Sequence, residues 1–192
     1  MVTSTQAFRV IPANEAPLED VRTVFGTRGD PATCWCQYFK VDPPTWKQQN
    51  IAAFEAALCD QVREPGVGPG VLAYLDGTPV GWAAVEPRAA YRRIVRPDET
   101  DAADVDRSDA WAVTCFVVPV GFRRRGVAAA LLDGAIAHAR RHGARTLDGF
   151  PTSSDKKLSS ADLYRGPRAL FERAGFVPLV SSGSRIVMRL EL

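Results

Sequence analysis

The segment Phe116-Val-Val-Pro-Val-Gly-Phe-Arg-Arg-Arg-Gly-Val-Ala-Ala-Ala-Leu-Leu132 constrains the fold of this chain more than any other. It follows the strongest strand pattern in the sequence, Trp111 to Val118 (WAVTCFVV). From Arg124 to His142 the pattern is helical, with Val127, Leu131, Leu132, Ala135, Ile136 and Ala139 mostly on one face and Gly143 placed to cap the end. A strand thus turns directly into a helix. The first turn of a helix leaves backbone N–H groups unpaired at the positive end of the dipole, so it favours anions. Gly126, Ala128 and Ala129 leave room for a ligand to approach that backbone. Arg123, Arg124 and Arg125 add three cations where helices ordinarily carry acids, a broken local rule of the kind found at functional sites. A diphosphate would resolve the conflict by accepting from the amides and pairing with the arginines. The competing reading is a solvated basic turn. No GxxxxGK[ST] loop occurs, and GVGPG at 66 to 70 precedes a strand instead of following one.

The rest of the chain reads as mixed β and α. Gln6 to Pro12 forms a first strand, Leu18 to Phe25 a short helix, and Thr45 to Val62 a longer one with Trp46, Ile51, Phe54 and Leu58 at near-helical spacing. Val71 to Leu75 and Val80 to Val85 flank an Asp76-Gly77 hairpin signal. After the central helix come a strand over Arg145 to Phe150, a helix over Pro167 to Ala174, and strands near Phe176 to Val180 and Ser184 to Leu190. Together with one strand–helix–strand crossover, this predicts a single α/β domain over residues 1–192. Composition agrees: 192 residues, 46% hydrophobic and 24% charged, suit one packed core rather than disorder. No apolar run approaches the roughly 20 residues of a membrane span, the polar start MVTSTQAFRV is unlike a signal peptide, and a cytoplasmic protein is expected. A net charge of +2, with no extended basic stripe, argues against nucleic acid as partner.

Arg123-Arg-Arg-Gly126-Val-Ala128 resembles the [QR]xxGx[GA] signature of the GNAT superfamily of N-acetyltransferases, in the strand–turn–helix context that family uses. Arg168-Ala-Leu-Phe-Glu-Arg-Ala-Gly-Phe176 resembles the family's later YxxxGF element. The resemblance implies a central mixed, mostly antiparallel sheet of about seven strands flanked by helices. It also implies acetyl-CoA as co-substrate, with Phe116, Val117 and Val118 pairing with the pantetheine arm. The diphosphate would sit on Arg123, Arg124, Arg125, Gly126, Val127, Ala128 and Ala129. The implied activity is direct transfer of an acetyl group to the amine of a small molecule or peptide; the alternative is an acyl-CoA-binding sensor without turnover. No metal and no membrane partner is implied, and a homodimer is compatible with the sequence.

Two departures stand out. The family's usual Pro three residues before the signature is Val120 here, with Pro119 one earlier. The Tyr that often protonates the departing thiolate, four residues before the Gly of YxxxGF, is Phe171. Tyr164, seven residues upstream and separated by Gly166-Pro167, is the candidate to supply that proton, against a bland alternative of simple packing. Glu86, ending the hairpin's second strand, is the candidate base, directly or through water, against a solvated strand-end carboxylate.

The remaining candidates favour bland readings. Cys34-Trp35-Cys36 lacks a second close Cys pair and reads as buried thiols or a substrate-pocket wall rather than a zinc site. His138 and His142 share a helix face but lack the Glu of HExxH. The acidic run Asp98, Glu99, Asp101, Asp104, Asp106 and Asp109 reads as a solvated loop that could also attract a cationic amine.

Overall fold

A computed structural model of the chain describes residues 7–94, 109–152, 164–182 and 185–192. Most of the acidic run, from Asp98 to Asp106, lies outside them. Seven strands form one sheet: β1 (Phe8–Pro12), β2 (Gly70–Leu75), β3 (Thr78–Pro87), β4 (Ala110–Val117), β5 (Thr146–Gly149), β6 (Val177–Ser182) and β7 (Arg185–Glu191). Their order is β1-β2-β3-β4-β5-β7-β6, and only β4 and β5 run parallel. The expected mixed, mostly antiparallel sheet is what the chain builds.

Among the described residues the α-helices are α1 (Leu18–Phe25), α2 (Asp30–Cys34), α3 (Pro43–Lys47), α4 (Ile51–Arg63), α5 (Val127–Arg141) and α6 (Arg168–Arg173). The single helix expected over Thr45 to Val62 is two. Gln49 adopts a left-handed φ of 50°, and the Asn50 side chain accepts from the Ala53 amide, capping a fresh helix. α2 was not anticipated; it is one short turn opened by Asp30-Pro31. α5 begins at Val127 rather than Arg124, because Gly126 caps it in the left-handed region at φ 88°. The Asp76-Gly77 turn closes the β2–β3 hairpin with both residues at positive φ, 49° and 79°, as a type I′ turn requires.

Alternation along β3 divides the core. Val80, Ala83 and Val85 face one side, where α5 and α6 pack with Leu131, Leu132, Ala135 and Phe171. Trp82 and Ala84 face the other, against Phe25, Trp35, Phe54 and Leu58 of the helices before the hairpin. α5 lies very close to the sheet: a Cβ on Gly81 would meet Val127 Cγ1 at 2.7 Å and Leu131 Cδ1 at 2.9 Å. Burying both faces leaves β4, in mid-sheet, with every residue buried.

Candidate active site

β4 carries the site because it loses its parallel partner halfway along. It pairs with β5 only from Ala110 to Val113, against Thr146 to Gly149. Beyond Gly149 the chain enters Phe150-Pro151, and proline cannot donate to a ladder. The open edge is met instead by Tyr164, whose carbonyl accepts from the Phe116 N–H at 2.6 Å. The Val118 carbonyl accepts from Arg123 Nε at 3.0 Å. Of the residues expected along the pantetheine arm, Phe116 therefore has its amide engaged within the chain, Val117 ends β4, and Val118 lies just past it.

A bulge on the other edge of β4 re-aims its side chains. Ala84 pairs with Cys115 and Val85 with Val113, so Thr114 is the extra residue. Such an insertion lets two successive residues face the same way. Thr114 and Cys115 both line a cavity of about 500 Å³, together with Asp30, Cys34, Cys36, Tyr38, Phe39, Trp46, Val117, Tyr164 and Arg165 among others.

A second cavity, about 240 Å³, lies at the head of α5. Arg123, Arg124, Gly126, Val127, Ala128 and Ala129 border it, with Val118, Phe122, Pro167, Leu170 and Arg173. The first bond of α5 runs from the Ala130 N–H to the Gly126 carbonyl, so the amides of Val127, Ala128 and Ala129 precede the helical ladder. Arg123, Arg124 and Arg125 are exposed, and among the described residues no carboxylate pairs with them. Free amides, an open glycine and unneutralised guanidinium groups are the donor set a diphosphate needs. Arg125 is the exception to the expected set: it does not border the cavity, and its guanidinium covers the Phe122 ring at 5.9 Å. Arg173 joins the set unannounced, because α6 brings it there from 44 residues beyond Ala129 in sequence.

Tyr164 lines the large cavity. Its phenol is raised above the usual tyrosine range, first by burial and then by Asp30, with Arg123 of the smaller cavity pulling the other way. Cys115 and Cys34 add to the rise. The hydroxyl thus keeps its proton at neutral pH. Phe171, at the position where the resemblance would place a tyrosine, is fully buried on the opposite face of the sheet. Its ring packs against Phe116 and Phe176, and a Cβ on Gly149 would strike it at 2.3 Å. It fills core volume.

Glu86 is neither solvated nor in contact with either cavity. Its carboxylate pairs with Lys40 Nζ at 2.5 Å, and both side chains are largely buried. Burial pushes its pKa up, opposed by Lys40 and by Tyr91. The fully buried Tyr91 lies beside both Glu86 and Thr114, and Thr114 reaches the large cavity. Glu86 therefore reaches the cavity only through other groups.

Cys34, Cys36 and Cys115 form cavity wall. Trp35 and Cys36 take left-handed φ values of 44° and 53°, which turn the Cys34-Trp35-Cys36 segment under the sheet. Burial pushes the Cys34 thiol up to about 12. Contact with Cys115, then burial, raises Cys36 well above the ordinary range. Both stay protonated, whereas a metal ligand or nucleophile would be a thiolate. His138 is buried beneath Trp111 at 5.7 Å rather than turned outward. Among the described residues, no group of three or more His, Cys, Asp or Glu side chains could hold a metal ion, and no helix is long and apolar enough to cross a membrane.

These features can be compared with known proteins. No curated protein sequence matches significantly. Among solved structures, the PaiA N-acetyltransferase from Thermoplasma acidophilum, in complex with coenzyme A, is 10% identical with a TM-score of 0.57, covering 97% of this chain and 99% of its own. A GCN5-related N-acetyltransferase from Kribbella flavida is 18% identical with a TM-score of 0.53, covering 97% and 98%. YncA from Salmonella typhimurium, solved with its cofactor acetyl-CoA, is 16% identical with a TM-score of 0.50, covering 97% and 94%. At such identities the likeness is one of fold. The profile of the Acetyltransferase (GNAT) family, however, matches residues 33–176, which run from the end of α2 through α6 and take in every strand from β2 to β5 and most of the residues lining the two cavities. On that match and that fold, the chain belongs to the GNAT family of acetyltransferases.

Proposed function

We propose that the protein transfers an acetyl group from acetyl-CoA to the amine of a small molecule. The observation that carries this is that Tyr164 lines the 500 Å³ cavity while the charge of Arg123, which borders the cradle at the head of α5, acts on its phenol. A diphosphate held at Arg123, Arg124, Arg173 and the amides of Val127 to Ala129 would direct the thioester into the gap beside β4. An amine in the large cavity would then meet it. That cavity has the size of a small-molecule site, which favours such an acceptor over a peptide on an open surface.

In the proposed step the amine nitrogen attacks the acetyl carbonyl carbon, and the carbon–sulfur bond breaks as the new amide forms. Tyr164 gives its phenolic proton to the departing thiolate. The amine's proton passes through water to Glu86, whose pKa burial raises above the usual carboxylate value. Holding the two reactants at one point accounts for much of the rate. Phe171 takes no part. The test is acetyl-CoA-dependent release of free thiol in the presence of a panel of primary amines. Thiol release that depends on the amine supports transfer; acetyl-CoA binding without turnover on any amine supports the sensor alternative.

A further inference from the structure

Among the described residues, two charged side chains line the large cavity, Asp30 and Arg165, and they are of opposite sign. Asp30, at the start of α2, lines this cavity and acts electrostatically on the Tyr164 phenol. Arg165 is turned toward another wall, its guanidinium over the Phe39 ring at 5.5 Å, and among the described residues no carboxylate pairs with it. A guanidinium lining a small cavity in this way is suited to receive a carboxylate. The remaining wall is aromatic: Tyr38, Phe39 and Trp46.

These rings do not form a cage for a cationic ligand. Arg93 already lies over Tyr38 at 4.6 Å and over Trp46 at 5.7 Å, and Trp46 stacks on Phe54 at 5.4 Å. Cation–π attraction at Tyr38 and Trp46 is thus used internally. What they offer a ligand is apolar and ring-edge contact. A polyamine, which would need several carboxylates, meets one among the described residues.

We infer that the acceptor is a zwitterionic amine with an aromatic side chain, of the aromatic α-amino acid class: its ammonium group faces Asp30, its carboxylate pairs with Arg165, and its ring lies against Tyr38, Phe39 and Trp46. This rests on the acetyl-transfer reading and deepens it. Arg165 is then a specificity residue, adjacent in sequence to Tyr164 but selecting the substrate rather than reacting with it.

The test pairs phenylalanine with phenethylamine, which keeps the ring and amine and lacks the carboxylate, and with spermidine. Transfer should favour phenylalanine over both. Arg165→Gln should lower the ratio of kcat/KM for phenylalanine over phenethylamine by about 10- to 100-fold, the usual worth of a hydrogen-bonded charge pair. The loss should fall mainly in KM, whereas a general fold defect would lower both substrates alike. Calorimetric binding of phenylalanine to the CoA-loaded protein gives an answer even without turnover. Binding that Arg165→Gln weakens, with no transfer, would keep the ligand assignment and reject the acetyl-transfer reading. A preference for spermidine or phenethylamine, or a ratio unmoved by Arg165→Gln, would overturn the assignment and leave acetyl transfer standing.

Discussion

At the scale of single residues, Tyr164 has two separable parts. Its backbone carbonyl holds the Phe116 amide at the edge of β4, and its phenol feels the charges of Asp30 and Arg123. Tyr164→Phe keeps the carbonyl and the ring, so the site should stay assembled. With the proton donor gone, kcat should fall roughly 10²-fold or more while the KM for acetyl-CoA changes little. Steady-state kinetics across pH would check this; an unchanged kcat would mean that the thiolate leaves unaided or is protonated by water. Glu86 requires a double variant, because Glu86→Gln alone strands the buried Lys40 ammonium and costs about 3–5 kcal/mol of stability. Lys40→Met combined with Glu86→Gln removes that penalty. If Glu86 is the base, the double variant regains stability in urea unfolding and remains about 10²-fold slow in turnover. Recovery of both would leave Glu86 a structural partner of Lys40.

At the scale of elements, the head of α5 is the unit whose sequence and geometry agree best. Arg124 at φ 61° and Gly126 at φ 88° turn the chain tightly between β4 and the helix. The central helix and its closure were legible because both depend on local pattern: the apolar face repeats every three to four residues, and Gly143 ends it at φ 79° with the Ala144 amide returning to the Ala139 carbonyl. The broken helix at Gln49 was not legible, since no proline or glycine marks it and the Asn50 cap looks like any surface polar residue until the turn is formed. Acetyl-CoA at about 100 times its dissociation constant should stabilise the protein by roughly 2.7 kcal/mol. Gly126→Asp should abolish that gain by setting a carboxylate against the diphosphate. Gly126→Asn carries a similar backbone strain without the charge and should retain more of it. Thermal unfolding with and without acetyl-CoA measures both, and equal gains in wild type and Gly126→Asp would place the diphosphate elsewhere.

At the scale of the whole molecule, His138 ties stability to pH. Burial, helped by His142 and Arg141, lowers its pKa from 6.5 to about 4. The unfolded chain therefore binds a proton between those values that the folded protein does not. Stability from this group is fully present above pH 6.5 and is lost as pH falls toward 4, by about 3 kcal/mol over that window. His138→Phe should flatten this part of the pH profile in urea unfolding. A variant that loses as much between pH 7 and pH 4.5 as wild type would show that other groups govern acid stability.

The hairpin, the central strand, the glycine-capped helix start and the family signature could all be read from the residues alone, because each depends on residues within about twenty positions of one another. The local pattern also marked Cys34 and Cys36 as pocket wall or buried thiols. Which distant groups share a site depends on how the chain packs. Asp30 and Arg165 lie 135 positions apart yet line one cavity, and Arg173 reaches the cradle from another helix. Likewise, the number of core faces settled the fate of Phe171 and Glu86. In a sheet covered on both sides, a ring after β5 is absorbed into packing, and a strand-end carboxylate survives burial by finding a lysine. Neither outcome follows from spacing, because burial is set by what the rest of the chain brings to that face.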